Sequence, residues 1–238
     1  MTRLWALTSR EFSSFFRTPL GWVVLALFLC LSSVLFVGRT LVPGEAASMR
    51  DFFAGWLALL LFIAPAVSMR LFAEELRTGT IEPLLTAPVR EGSIVAAKYI
   101  AAVLFLITML IPSAVYVLIL DSLSRPDFGP ILSGYLGLLL LGMLYLSVGT
   151  LVSVLTSSQT LAFLGTLFAL LILDVGPRQA APSLPRPFDE ILLQASPSQR
   201  IPYFASGLID TAHVAFFLLA SLWFLVLAAV ILQSRRWR

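Results

Sequence analysis

The sequence predicts an all-α integral membrane protein with six transmembrane helices, and two observations support that prediction. The first is composition: 59% of the 238 residues are hydrophobic and 12% are charged, and the mean hydropathy of +0.95 lies outside the range of soluble globular domains. The second is a set of apolar runs, each close to the ~20 residues that cross about 30 Å of hydrocarbon. These runs are Gly21 to Gly38, Phe52 to Met69, Tyr99 to Leu120, Ile131 to Leu155, Leu161 to Val175 and Ala212 to Leu232.

Residues 1–238 are predicted to form one multi-pass membrane domain, with five spans in 21–175 and the sixth in 212–232. Six spans place both termini on one side, and that side carries ten of the 16 cations. Because Lys and Arg in short loops favour the cytoplasm, we expect both termini to be cytoplasmic. The acidic residues are distributed in the opposite way, with five on the side of the termini and eight on the other side. The net charge of +3 is spread along the loops, so it does not indicate nucleic-acid binding.

Residues 1–18 are predicted to form an interfacial elbow helix. Arg3, Arg10 and Arg17 recur every seven residues on one face, whereas Trp5 and Phe12 belong to an apolar face. Such a helix lies flat on membrane lipid, and a proline directly after Thr18 ends it. A surface anchor is the favoured interpretation. The alternative is that the helix also packs against a cytoplasmic partner.

The segment Met69 to Val89 is charged and lies between two long apolar runs. The second helix is predicted to continue past the membrane surface through Arg77, with Gly79 as its C-terminal stop. Thr80 then caps a short cytoplasmic helix, because its hydroxyl can accept a hydrogen bond from an orphan backbone amide. The apolar face of this helix, at i, i+3 and i+4 spacing, consists of Ile81, Leu84 and Leu85.

A helix of about two turns is unstable alone, so another surface must bury its apolar face. One candidate is the membrane surface or the neighbouring helix ends, and the other is a groove in a soluble protein. Three buried aliphatic side chains at about 1.5 to 3 kcal/mol each could help hold such a partner, before ordering costs. The acids Glu74, Glu75 and Glu82 would then face basic groups on that partner.

The second half of the chain adds several expectations. Thr156 to Thr160 separates the fourth and fifth runs, and a tight polar hairpin is favoured over one long broken segment. Prolines divide the region 176–211, where Phe188 to Ala195 is predicted as a small amphipathic helix and the stretch GPRQAAPSLPRP as a flexible loop. Small residues in the fourth run allow close helix approach, either to another chain or within this one. They are Gly134, Gly137, Gly142 and Gly149.

Enzyme chemistry is not indicated. His213 is the only histidine and Cys30 the only cysteine, and neither an H-E-x-x-H nor a G-x-S-x-G motif occurs, so we assign no catalytic residue and no metal site. An ion-driven transporter normally needs ionisable groups within its spans. The cores of the six runs contain none, and Lys98 and Asp174 lie at run ends, where we expect their side chains to reach water.

Seven short stretches carry a more specific pattern: Arg70-Leu71-Phe72-Ala73-Glu74-Glu75, Gly79-Thr80-Ile81-Glu82, Leu84-Leu85-Thr86-Ala87-Pro88, Arg10-Glu11-Phe12, Lys98-Tyr99, Gly207-Leu208-Ile209-Asp210 and Arg235-Arg236-Trp237. In these stretches the chain resembles the membrane permease subunits of type 2 ABC exporters. Within that group it is most similar to the gliding-motility-type permeases and their copper-processing relatives. The resemblance covers nearly the whole chain.

This resemblance implies that the chain works with a separate ATP-binding subunit. Thr80 to Thr86 would be the coupling helix, seated in a cleft of that subunit, and Arg3 to Arg17 would be the elbow helix. No G-x-x-x-x-G-K-[ST] phosphate loop occurs in the sequence, so ATP and Mg²⁺ belong to the partner and no cofactor is expected on this chain. The expected contacts with the ATP-binding subunit are Glu74, Glu75, Arg77, Thr78, Gly79, Thr80, Ile81, Glu82, Leu84 and Leu85.

The resemblance also implies an assembly in a bacterial inner membrane. Six spans are half of what such exporters use, so the chain would pair with a second permease, either a copy or a paralogue, and with two ATP-binding subunits. The region 176–211 would form an outer gate, and an accessory protein with an outer domain is a further expected partner. The expected function is export driven by ATP hydrolysis on the partner. The alternative is a complex that transmits mechanical work across the membrane without transporting a substrate.

Overall fold

The structure is a computed structural model that describes residues 2–41, 48–80, 91–124, 126–183, 185 and 188–235. Within these residues there is no strand, and six helices are long and apolar enough to cross a membrane, which confirms the predicted fold class. The elements are α1 (Thr2–Arg17), α2 (Pro19–Arg39), α3 (Arg50–Ser68), α4 (Ala73–Thr78), α5 (Glu91–Leu123), α6 (Phe128–Leu155), α7 (Gln159–Leu170), a π-helical turn (Leu171–Val175), α8 (Gly176–Ala180), a 3₁₀ turn (Ala181–Ser183), α9 (Phe188–Ala195), a 3₁₀ turn (Pro197–Arg200), α10 (Ile201–Ala205) and α11 (Thr211–Arg235).

The fourth span, α6, is the centre of the bundle. In its most apolar stretch 72% of the residues are buried, against 22% in α2 and 17% in α11. It packs against α3, α5, α7, α10 and α11. A displacement of α6 would therefore disturb most of the described helices at once.

The glycines of α6 are used for packing within the chain. An added Cβ at any of the four would overlap an atom of a neighbouring element, so each glycine permits a close approach that alanine would not. Of the two uses that the sequence leaves open, internal packing is the one observed. The four contacts are Gly134 with Phe53, Gly137 with Phe204, Gly142 with Leu106 and Gly149 with Ser68.

The hairpin predicted between the fourth and fifth spans is confirmed. α6 ends at Leu155, residues 156–158 turn the chain, and α7 packs back against α6. Ser158 caps α7, because its Oγ accepts a hydrogen bond from the backbone N–H of Leu161 at 3.4 Å. One long broken segment is therefore excluded.

The fifth span is longer than its apolar run. α7 passes through the π-helical turn directly into α8, whose second residue is Pro177. The proline-rich stretch is thus helical as far as Ser183, rather than a flexible loop, and residues 184, 186 and 187 lie outside the described part. The helix predicted over Phe188 to Ala195 is confirmed as α9, with Ile191 exposed on its surface.

We name the two ends of the bundle by their contents. The elbow end carries α1, α4 and the turn 156–158, and the far end carries α8, α9, α10 and the start of α11. That the elbow end is cytoplasmic stays a prediction.

Asp174 is buried near the far end and does not reach water, contrary to expectation, because it is only 3% exposed. Its carboxylate accepts hydrogen bonds from Ser196 Oγ at 3.0 Å and from the backbone N–H of Ser198 at 2.9 Å, and it pairs with Arg178 at 3.1 Å. The segment after α9 folds back over the carboxylate, so protein donors replace water. These contacts fasten that segment to the end of the fifth span.

The contact between α6 and the end of α3 gives a first prediction. Replacing Gly149 by Ala should lower stability by about 1 to 3 kcal/mol, because the new methyl group overlaps the Ser68 side chain. Gly38→Ala is the matched control, since a Cβ there meets nothing within 4 Å. Thermal unfolding in detergent would measure both, and equal melting temperatures for the two variants would contradict the proposed packing.

Candidate functional site

The helix is interrupted between the second span and α4. α3 ends at Ser68 and α4 begins at Ala73, so the prediction that the second helix continues through Arg77 is wrong. The reason is Ser153 of α6, whose Oγ accepts hydrogen bonds from the backbone N–H groups of Phe72 and Ala73, both at 3.1 Å. These amides would otherwise be orphan donors at a helix start. The side chain of α6 thus fixes where α4 begins.

The end of α4 is the one predicted from the sequence. Gly79 follows the helix with φ of 72°, the left-handed conformation that ends many helices and that favours glycine. Thr78 Oγ1 donates a hydrogen bond to the Glu74 carbonyl oxygen at 2.9 Å. α4 is therefore a short element with a defined start and stop, directly before residues 81–90, which lie outside the described part.

Lys98 of α5 lies at the centre of the elbow end. Its Nζ donates to Glu75 Oε1 of α4 at 2.8 Å and to Glu11 Oε2 of α1 at 2.9 Å. The ring centroid of Phe72 is 5.3 Å from the same nitrogen, within range of a cation–π contact. Lys98 is 1% exposed, so the expectation that it reaches water is wrong, because two carboxylates take the place of solvent. One side chain thereby joins three helices, and we call Glu11, Glu75 and Lys98 the ionic cluster.

The ionic cluster stays partly unsatisfied within the described residues. It contains two carboxylates and one ammonium, so it carries a net negative charge. The second oxygen of Glu75, Oε2, is buried and has no hydrogen-bond partner in the described part of the chain. A buried charge of this kind is costly unless it is fully paired. Removing one member of the cluster should therefore cost more stability than removing one member of an exposed ion pair.

A second set of polar contacts joins α4 to the junction between α1 and α2. Arg70 Nη1 donates to Thr18 Oγ1 at 2.6 Å, and Arg70 Nε pairs with Glu74 Oε2 at 3.1 Å. The segment around α4 is therefore tied to the elbow helix through both Arg70 and Lys98. The side chains line an open pocket of about 330 Å³, formed by Arg10, Glu11, Ser14, Phe15, Arg70, Leu71, Glu74, Glu75, Thr78, Thr80 and Lys98.

The predicted contacts with an ATP-binding subunit divide into three groups. Glu75 points into the ionic cluster, and Glu74 is half-exposed in its pair with Arg70. Four further residues are exposed and available to a partner: Arg77, Thr78, Gly79 and Thr80. The others lie outside the described residues, so their role stays a prediction: Ile81, Glu82, Leu84 and Leu85.

The elbow helix is present and packs on the third span. Phe15 stacks on Phe105 of α5 with ring centroids 4.7 Å apart, and Phe12 is partly buried beside Phe16. Arg10 and Arg17 are exposed, and Trp5 is 65% exposed, as an anchor in lipid would be. Arg3 lies in α1, and its side chain is outside the described part.

The sequence reasoning missed Glu11, Lys98 and Ser153 as site residues. One feature of the sequence could have marked Lys98 as a site residue: it is the only lysine in the chain, and it lies at the start of an apolar run. Glu11 lies between Arg10 and Phe12, next to the apolar face of α1, which is an unusual place for an acid. Nothing in the sequence marks Ser153 apart from other serines in the spans.

The ionic cluster gives a second prediction. Lys98→Met should destabilise the protein by about 3 to 5 kcal/mol, because it leaves two neighbouring carboxylates without their cation. Adding Glu11→Gln and Glu75→Gln should recover most of the loss, since no buried charge then remains in the cluster. Melting temperatures in detergent would measure both variants. A triple variant no more stable than Lys98→Met would contradict the electrostatic origin of the effect.

The break before α4 gives a third prediction. Ser153→Ala removes the acceptor of two backbone N–H groups and should cost about 1 to 3 kcal/mol of stability. Ser157→Ala is the control, because Ser157 is exposed in the turn after α6. Urea or thermal unfolding would compare them, and an undisturbed Ser153→Ala protein would show that α4 does not depend on this serine.

Comparison with protein families matches residues 13–175 to the ABC-2 family transporter proteins. The matched region is more than half of the 238-residue chain, and it includes α4, Lys98 and Ser153. No curated protein matches the chain. An all-α fold with six candidate spans and a family match of this extent agree with each other, and the chain belongs to the ABC-2 family of membrane transporter proteins.

Proposed function

We propose that the chain is the membrane subunit of an ATP-binding cassette exporter, and that it couples ATP hydrolysis by a separate nucleotide-binding subunit to substrate export. The observation that supports this most is the ionic cluster, which ties α4 to α1 and α5 directly before residues 81–90. ATP and Mg²⁺ would be held by the partner. The resemblance of the chain to the gliding-motility-type and copper-processing permeases supports the further proposal that it belongs to that subfamily.

The proposed coupling follows the contacts out of α4. A displacement of residues 80–86 by the ATP-binding subunit would move α4, because the two segments are continuous in the chain. Lys98 would pass that displacement to the third span and to the elbow helix. Ser153 would pass it to α6, the most buried span. A displacement of residues 80–86 would in this way be transmitted to α1, α4, α5 and α6.

The proposed assembly follows from the surfaces that remain free. Arg77 and Thr80 are exposed beside the coupling segment, where the ATP-binding subunit would dock, in two copies per complex. α2, α7 and α11 are the spans least buried within this chain, so they would contact lipid or a second permease chain, either a copy or a paralogue. The elbow end would face the cytoplasm of a bacterial cell. An accessory protein with an outer domain would meet the far end.

A fourth prediction tests the docking step. Replacing Leu84 and Leu85 together by Asp should abolish co-purification with the ATP-binding subunit, and with it the stimulation of ATP hydrolysis. The physical reason is that two carboxylates cannot enter an apolar groove without a large desolvation cost. Binding would be measured by pull-down from detergent, and turnover by phosphate release in proteoliposomes.

The matched control for this experiment is Leu208→Asp with Ile209→Asp. These two adjacent aliphatic side chains are exposed at the far end, so the variant adds the same charge to the opposite end of the bundle. It should bind the ATP-binding subunit as the wild type does. If the Leu84 and Leu85 variant also binds and stimulates normally, residues 80–86 are not the coupling segment.

A further inference from the structure

A cavity at the far end carries a positive charge that the described residues leave uncompensated. It has a volume of about 400 Å³ and lies between α9, the turn 197–200, α10 and the start of α11. Arg200 forms part of its wall, and its side chain is partly buried. The complete lining is Leu193, Gln194, Gln199, Arg200, Tyr203, Ala212 and His213.

The partners of Arg200 are all uncharged. Its Nη1 lies 2.9 Å from Nδ1 of His213, and its Nη2 donates to the Gln194 carbonyl oxygen at 2.8 Å. The face of the guanidinium lies 3.9 Å from the centre of the Phe216 ring. No acidic side chain in the described part pairs with it within 4.0 Å. Burial lowers the pKa of Arg200 below its ordinary value, although arginine remains charged at physiological pH.

Arg200 also retains unused hydrogen-bond donors. A guanidinium carries five N–H groups, and the described contacts use two of them. The Nε atom is buried and has no hydrogen-bond partner in the described part of the chain. A positive group in this state gains from any anion that enters the cavity.

His213 adds a donor of defined orientation. Arg200 has no lone pair to offer, so Nδ1 of His213 must be the acceptor in their contact. An acceptor Nδ1 leaves Nε2 as the donor nitrogen of the ring, and Nε2 has no hydrogen-bond partner in the described part of the chain. Tyr203 holds the ring in place, with centroids 4.9 Å apart.

We propose that this cavity binds a phosphate group. Its wall offers the N–H groups of Arg200 and His213, the amide of Gln199 and the hydroxyl of Tyr203, and no acidic residue is among the lining residues. The nearby carboxylate of Asp210 accepts a hydrogen bond from the backbone N–H of Ala212 at 2.8 Å. A tetrahedral anion with several oxygens can accept from donors that converge from different helices. His213 lies in the first turn of the last span, the depth at which lipid headgroups lie. The group would belong to a phospholipid headgroup or to free phosphate, and this proposal does not depend on ATP-driven export.

The test uses the delipidated full chain in a phosphate-free, nonionic detergent. Thermal stability is titrated with inorganic phosphate, with a short-chain phosphatidylglycerol and with a short-chain diacylglycerol that lacks the phosphate. We expect stabilisation by at least one phosphate-bearing probe and none by the diacylglycerol. Stabilisation by phosphatidylglycerol alone assigns the site to a headgroup, and stabilisation by both phosphate probes assigns it to the phosphate group itself.

Two variants locate the effect. Gln199→Glu adds a negative charge to the exposed wall of the cavity and should weaken binding of the active probe about tenfold by repulsion. Gln179→Glu makes the same change on the exposed surface of α8, outside the cavity, and should bind normally. Arg200→Gln should abolish binding. If Arg200→Gln fails to fold, the comparison of Gln199→Glu with Gln179→Glu still tests the site.

Three results would overturn the proposal. The first is the absence of any response to both phosphate probes. The second is equal stabilisation by the diacylglycerol, which would show that acyl chains alone are sufficient. The third is an equal loss of affinity in Gln199→Glu and Gln179→Glu, which would show a general effect of net charge rather than a site.

Discussion

The elbow end depends on one ammonium group held between two carboxylates. Lys98 is the only lysine in the chain, and its Nζ bridges Glu11 of α1 and Glu75 of α4. α4 has six residues, too few to be stable as an isolated helix. Its position therefore depends on tertiary contacts, of which the buried ion pair is the one that reaches two other helices. Without it, α4 would keep its contacts with Ser153 of α6 and, through Arg70, with Thr18, but it would lose its ion pair with the third span.

The central span α6 links this arrangement to the rest of the molecule. Ser153, near its end, accepts the amides that begin α4, while glycines along its length admit side chains from α3, α5 and α10. At the far end, hydrogen bonds hold the segment after α9 to the fifth span, because Ser196 and Ser198 donate to the carboxylate of Asp174. Lys98 and Asp174 each have an oppositely charged partner, whereas Arg200 has no charged partner in the described part. That contrast is what makes its cavity a candidate for an anion.

Most of the fold could be predicted from the sequence, because span length and helix punctuation are local properties. The six spans, the elbow helix, the helix stop at Gly79 and the helix over Phe188 to Ala195 all followed from hydrophobic runs, caps and breakers. What the sequence could not show were contacts between residues far apart in the chain. Lys98 and Asp174 were expected to reach water because each lies at the edge of an apolar run. The carboxylates around Lys98 and the serines over Asp174 come from segments far away in the chain, which no local pattern specifies. Arg178, four residues after Asp174, is a local partner that the sequence does show.

Hydrogen–deuterium exchange of the backbone amides in α4 would test most directly whether Lys98 holds this helix in place. In the wild type, the N–H of Leu76 is bonded to the carbonyl oxygen of Phe72 at 2.9 Å and should be protected. In Lys98→Met we expect the amides of residues 76–78 to exchange at least about tenfold faster, the effect of ~1.4 kcal/mol of lost local stability, while those of α7 keep their rates. Equal exchange of α4 in the two proteins would contradict the role assigned to the ionic cluster.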